Sequence, residues 1–388
     1  MAFISSKFPI ARIAVSMLFF GNGLFIGVWT PMIPVFKARL LLSESELGLV
    51  ILALGLGALV AMPIGGALIA RYGTRLPIIF NSLLCAPGLV LVTLAPDMAG
   101  AVIVLTFFGM FWAGMDVAMN SNVIEVERQT KRAIMSSCHG FWSVGGLVGA
   151  LFGGKTLFLL GETGHALFWM VIFLLLMSYA LRKMENEPPS EEQVSAGLKI
   201  RFPRSILPYM LGIICLLAIV PEGVVIDWSG LLLHEERGFE LTTAGYGFAA
   251  FSLSMAFVRF TGDYFRQKYG AVNTLRVCLV FSITGFTIVT LSSQPTLTIL
   301  GFFITGIGIS NLFPIAVSAA GNLPGIPSGV SVSMVTSVGY SGFLLAPPLF
   351  GFVAQAYSYT FIFALMPLCL FIIFFAMYPV RYADEGTK

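Results

Sequence analysis

Apolar stretches of roughly 20 residues recur along the whole chain, separated by short polar turns, and each is long enough to cross a bilayer as a helix. The pattern predicts spanning helices at about 12–36, 45–69, 76–95, 99–123, 134–154, 164–183, 205–232, 242–264, 272–292, 295–319, 327–354 and 357–380. The first run is too long for the apolar region of a signal peptide and no small-residue cleavage site follows it, so it reads as a span.

Composition agrees with a lipid-facing surface. Charged residues make up 11% of the 388 residues and hydrophobic residues 57%. A soluble domain needs about 25% charged residues to face water. The 41 glycines suit helices that associate by close packing in a bilayer. A net charge of +3 gives no reason to expect nucleic acid as a partner. The five cysteines all fall inside apolar runs, where they read as small packing residues and not as a disulfide framework or a zinc site.

One connector stands out. Residues 185–204 are polar, with Pro188, Pro189 and several charges, and divide the helices into two sets of six. The expected organisation is a six-helix bundle over 1–184, a cytoplasmic linker over 185–204 and a second bundle over 205–388. Basic residues concentrate on the side of the linker, by roughly four to one, which predicts cytoplasmic N- and C-termini.

The two sets repeat. Tyr72-Gly73 matches Tyr269-Gly270, Leu151-Phe152-Gly153 matches Leu349-Phe350-Gly351, and Trp29 matches Trp228. Gly109 and Gly114 match Gly301 and Gly306 in spacing. The order and near-constant offset point to parallel repeats, which place a binding site at mid-membrane where the repeats meet.

Twelve helices as six plus six, with a charged linker, resemble the major facilitator superfamily. The loop Gly66-Ala-Leu-Ile-Ala-Arg71-Tyr-Gly73-Thr-Arg75 resembles that family's signature after the second helix, with Ala70 where the family has Asp. The second half supplies Gly262-Asp263 and Gly270. A narrower likeness rests on Gly114-Met-Asp116-Val-Ala-Met-Asn120, Ser137-Cys-His139-Gly, Glu222-Gly-Val-Val-Ile-Asp227-Trp228-Ser229 and Arg259-Phe-Thr-Gly-Asp263. These look like the bacterial branch that contains the rhizopine-transport protein MosC and fucose-permease-like carriers. The resemblance implies an all-α membrane fold of two pseudo-symmetric bundles and transport of small polyhydroxylated or amino-sugar-like solutes, with proton symport.

Charges at bilayer depth cost about 2.5–3.5 kcal/mol on insertion scales, so each needs a partner, a wet cavity or a function. Asp116 shares a helix face with Asn120, four residues on, and is the first candidate for proton coupling. Burial disfavours a carboxylate's charge, which suits such a group to exchange a proton as its surroundings dry and wet. His139 is expected at a similar depth and could relay a proton or simply pack. Glu222 lies between Pro221 and Gly223, where a broken helix lining a cavity is expected, and is the second acid for coupling. Asp227, beside Trp228, is expected near the outer interface as a gate or cap. Arg259 and Asp263 are spaced for a local ion pair. With Arg71 and Arg75 they read as a charge network closing the cytoplasmic side. For the solute itself, Asn22, Asn120 and Asn311 offer amides, and Trp29, Trp142 and Tyr340 offer ring faces.

No phosphate-binding loop, metal-ligand spacing or nucleophile motif is present, so no cofactor is expected and the chain does not read as an enzyme. The reading is a monomeric secondary transporter in a bacterial inner membrane, moving a small polar organic solute by alternating access, with proton symport. A proton-driven exporter of a metabolite or toxic compound uses the same acids in the opposite direction. A membrane sensor that does not transport would call for an appended soluble domain, which the sequence does not show.

Overall fold

A computed structural model describes residues 2–130, 134–184, 205–326 and 328–387. Within these, nothing is stated of the side chains of 2–9, 62–63, 70, 128–130, 263, 328–330, 333 and 385–387. The linker 185–204 and the side chain of Asp263 therefore lie outside the described residues.

Among the described residues the chain is helical. In order, the spans are α1 (Ala2–Arg39), α2 (Glu44–Tyr72), α3 (Arg75–Leu94) and α4 (Met98–Thr130). A single helical run, Met135–Lys183, follows. At 1.5 Å per residue its 49 residues would reach about 74 Å, more than twice a hydrocarbon core of about 30 Å. It is broken at Gly161, whose φ of 69° and ψ of 173° are not helical. It therefore supplies two spans, α5 (residues 135–160) and α6 (residues 162–183). The second set is α7 (Leu207–Glu236), α8 (Tyr246–Tyr269), α9 (Ala271–Leu291), α10 (Pro295–Gly321), α11 (Ser328–Ala356) and α12 (Tyr359–Ala376). The fold is thus an all-α membrane fold, with twelve spans among the described residues.

Large apolar side chains face outward. Phe158 is 76% exposed, Leu159 72%, Leu291 80% and Phe375 77%. A surface of that kind is stable against lipid tails and not against water. Cys85, Cys138, Cys215 and Cys278 are free and buried, and Cys369 is free and half-buried.

The contacts divide the chain into two compact units. The first holds Met1–Ser43, Leu49–Leu198 and Leu241–Gly245, and the second holds Glu44–Gly48, Lys199–Glu240 and Tyr246–Lys388.

In the first unit, glycines set how closely helices approach. A Cβ on Gly23 would collide with the Trp142 carbonyl oxygen, and one on Gly145 with the Phe20 carbonyl oxygen, so α1 and α5 touch backbone to backbone. A Cβ on Gly109 would collide with the Leu54 carbonyl oxygen, which fixes α4 on α2.

The second unit repeats the last contact: Gly306 on α10 meets the Phe251 carbonyl oxygen on α8. Gly109 therefore corresponds to Gly306, and not to Gly301 as the spacing of glycines suggests. Gly301 turns toward Gly285 and Val289 on α9. Five residues on a helix are about 140° of rotation, so a register error of that size selects a different face.

Candidate functional site

In the first unit the polar candidates gather where α1, α4 and α5 meet. Asn22 on α1 is fully buried. Its Oδ1 accepts a hydrogen bond from Trp142 Nε1 at 2.9 Å, and its Nδ2 donates to the Trp112 carbonyl oxygen at 3.4 Å. Trp112 Nε1 returns a bond to the Asn22 carbonyl oxygen at 3.3 Å. Asp116 lies one turn beyond Trp112 on α4, and Asn120 one turn beyond that, so the three form a stripe on one helix face. Asn120 Nδ2 donates to the Asp116 carbonyl oxygen at 2.9 Å. All three are partly exposed. His139, one turn before Trp142 on α5, sets its ring edge against Phe19 with centroids 5.0 Å apart. Trp29 is enclosed, 1% exposed and edge-on to Phe36 at 5.5 Å, so it stands in the core of its unit.

At the helix ends of this unit, Arg75 Nη2 donates to the Leu181 carbonyl oxygen at 3.3 Å, tying α3 to the end of α6. The Arg71 guanidinium is exposed and lies over the Tyr72 ring at 5.2 Å. Glu127 Oε1 accepts from the backbone N–H groups of Ile134 and Met135 at 2.5 and 2.8 Å, capping α5.

In the second unit, Glu222 on α7 faces Arg259 on α8, with Oε1 and Nη2 3.5 Å apart. Both stand near the middle of their helices, which corrects the placing of Arg259 in a network at the cytoplasmic side. The expected break at Pro221 is also absent: the helix runs from Leu207 to Leu231 with Pro221 inside it. A proline removes one N–H without ending a helix that neighbours hold, and Gly223 lets the Phe343 ring close to 3.3 Å of where a Cβ would be. The irregular turn lies later, as the π-turn Leu232–Glu236.

Asp227 is partly buried on α7 and has no hydrogen-bond or ion-pair partner among the described residues. Trp228 beside it is fully buried, tilted against Tyr359 with centroids 6.1 Å apart, so it stands in the core of its unit. Asn311 sits where α10 is interrupted between Ile309 and Leu312, in room left by Gly262. Tyr340 on α11 lies between Phe313 and Phe343, at 5.9 and 6.4 Å.

Sequence reasoning missed two features. Trp112 carried a signal, its place one turn before Asp116. Tyr359, whose hydroxyl stands 3.1 Å from Glu44 Oε1 and 3.4 Å from Glu235 Oε2, carried none, because those residues are far apart in the chain.

Residues 15–323 and 228–388 match the sequence model of the Major Facilitator Superfamily. The chain belongs to that superfamily. It is 33% identical over 365 residues to an uncharacterized MFS-type transporter of Yersinia pestis, covering 92% of this chain and 93% of the relative. It is 30% identical over 346 residues to the membrane protein MosC of Rhizobium meliloti, covering 88% and 83%. The nucleoside transporter NupG has the same fold with a TM-score of 0.75 at 14% identity, covering 95% of this chain and 99% of that one. The fucose:proton symporter FucP of E. coli superposes with a TM-score of 0.67 at 15% identity, covering 97% and 99%. This superfamily member is a multi-pass membrane transporter.

Proposed function

We propose that the protein is a secondary active transporter that takes up a small polar organic solute, a sugar, polyol or amino-sugar-like compound, together with protons by alternating access. The observation that carries the proposal is the pair of carboxyls, Asp116 and Asp227, set in hydrocarbon-length helices with no cation in ion-pair reach among the described residues. A carboxyl so placed is tolerated where it borders water or carries a proton. Asp116, with Asn120 beside it, is the proton carrier in this reading. Glu222 is held by Arg259 until a proton or a solute competes for it. The fold shared with a fucose:proton symporter supports a small polar solute and a coupled proton. The excess of basic residues on one side supports a bacterial inner-membrane protein with both termini in the cytoplasm. It works as a monomer, since each twelve-helix chain carries both repeats.

A thermal-shift screen of the purified protein against sugars, polyols and amino sugars finds the solute. Proteoliposomes with an imposed inward proton gradient then test coupling. Unaltered protein accumulates the solute, and Asp116→Asn abolishes accumulation while sparing solute exchange. Undiminished accumulation by Asp116→Asn removes Asp116 from the mechanism. Solute driven out against the proton flux makes the protein an exporter.

A further inference from the structure

Asn22 is fully buried, yet its amide and its backbone carbonyl are all engaged by two tryptophans from different helices. A buried amide whose partners match its donors and acceptors is a fixed connector, because breaking it leaves unpaired polar groups at a cost of about 1–3 kcal/mol. A solute therefore does not reach Asn22. The Asn22 amide holds the Trp142 indole N–H inward and ties itself to the Trp112 backbone, while the Asn22 backbone carbonyl holds the Trp112 indole N–H. Trp112 and Trp142 remain partly exposed, and with their N–H groups occupied they have only carbon left to offer outward.

Trp112 shares its α4 face with Asp116 and Asn120, and a stripe holding a carboxyl and an amide is not a lipid face. The geometry is also rigid. Gly23 and Gly145 let α1 and α5 meet backbone to backbone, so Trp142 cannot slide along Asn22.

We propose that Asn22 is a positioning residue of the transport site: it ties Trp112 and Trp142 together as an apolar floor beside Asp116, and the solute is a polyhydroxylated ring with one apolar face. This rests on the transport function proposed above. A pyranose presents a face of axial C–H groups, and a nucleoside presents a π face. An open-chain polyol has the same hydroxyls but no lasting flat face, and ordering it costs more conformational entropy. The ring lies on the indoles while Asp116 and Asn120 take hydrogen bonds from its edge.

The test measures binding by tryptophan fluorescence, with D-galactose and uridine as ring probes and galactitol as the open-chain probe, and uptake in proteoliposomes. Unaltered protein binds a ring probe more tightly than galactitol. Asn22→Leu, close in volume but without the amide, raises the half-saturation concentration for that ring probe about tenfold, with a smaller change in maximal rate. Trp142→Phe keeps an aromatic ring but loses the N–H that Asn22 holds. It shows the same loss, and the double variant is no weaker than either single one, as expected of groups acting through one bond.

Equal binding of galactitol and the ring probes overturns the inference, as does failure to bind either. So does an Asn22→Leu chain that binds like the unaltered one, or that weakens ring and open-chain probes alike. A chain that binds a ring probe as expected but does not accumulate it on a proton gradient overturns proton coupling and leaves the floor standing.

Discussion

Arg39 and Arg237 make the same clasp in the two units. At the end of α1, Arg39 donates to the Val92 and Ala95 carbonyl oxygens at 2.8 and 2.7 Å and to Glu162 Oε2 at 2.9 Å. Just past the end of α7, Arg237 donates to the Val289 carbonyl oxygen at 3.4 Å and to Thr360 Oγ1 at 2.9 Å. Val289 and Thr360 stand 197 and 198 residues beyond Val92 and Glu162, as Arg237 stands 198 beyond Arg39. The reason is the same in both. The last carbonyls of α3 and α9 form the negative ends of their helices, and a guanidinium is a planar, multiply donating cation suited to such an end.

Removing the clasp should therefore weaken each unit separately. Arg39→Ala takes the guanidinium from the Ala95 carbonyl and the Glu162 carboxylate and leaves the Val92 carbonyl with the Ala95 N–H alone, each lost bond to a charge being worth about 1.5–3 kcal/mol, less where water reaches. A loss of about 2 kcal/mol is expected for Arg39→Ala and a similar one for Arg237→Ala. The two losses should add, because the sites share no partner. Denaturation of the detergent-solubilised single and double variants measures this, and a double variant no weaker than one single would contradict it.

The matching glycine contacts give a second expectation. Gly109→Ala and Gly306→Ala each drive a methyl into a backbone oxygen of the neighbouring helix, and backbone cannot swing aside as a side chain can. Both should cost folded yield heavily. Gly66→Ala is the control, because no atom lies within 4 Å of its added Cβ and alanine is the better helix former by about 1 kcal/mol. Equal yields of Gly66→Ala and Gly109→Ala by fluorescence-detected gel filtration would show that the close approach is not needed.

What the sequence made legible follows from which physics is local. Spans were readable because crossing lipid needs a length of apolar residues, and that is a property of a continuous stretch. The repeat was readable because Tyr72-Gly73 and Tyr269-Gly270 keep their spacing from everything else. Partners were not readable. Asn22 and Trp142 lie 120 positions apart. Arg259 has a nearby candidate in Asp263, four residues on, and chain spacing gives no hint of Glu222 on another helix. The π-turn at Leu232–Glu236 was equally hidden, because it is fixed by what Glu236 reaches: the backbone N–H groups of Tyr359 and Thr360 at 2.6 and 3.0 Å, at the start of α12.

The C-terminal segment should act as a strap on the α8–α9 corner. Asp384 accepts from the Ala271 N–H at 2.8 Å and faces Arg266 at 3.8 Å. Arg266 also donates to Ser318 Oγ at 2.9 Å and to the Ala383 carbonyl oxygen. The chain passes the corner at Gly270 with φ of 81°, a conformation that glycine adopts without strain. Asp384→Ala removes a cap from α9 and should cost about 1 kcal/mol. Arg266→Ala cuts contacts to two segments and should cost more. Equilibrium unfolding of the two variants orders them, and equal stability to the unaltered chain would mean the segment is not held by these bonds.

Glu222 and Asp227, five residues apart on α7, should respond in opposite senses to the same change. Glu222→Gln takes away the carboxylate that faces Arg259 at 3.5 Å, with both side chains largely buried. Breaking a buried pair from one side costs about 3–5 kcal/mol, because the remaining charge keeps its desolvation penalty. Asp227→Asn instead removes a charge that has no partner among the described residues, so it relieves a penalty and should leave stability equal or higher. Its effect belongs to transport, where the loss of a protonatable group should slow proton-driven uptake more than exchange. Thermal unfolding and proteoliposome uptake on the same preparations separate the two. If Asp227→Asn destabilised the fold as much as Glu222→Gln, Asp227 would be a structural acid, and its bare carboxyl would no longer argue for a proton path.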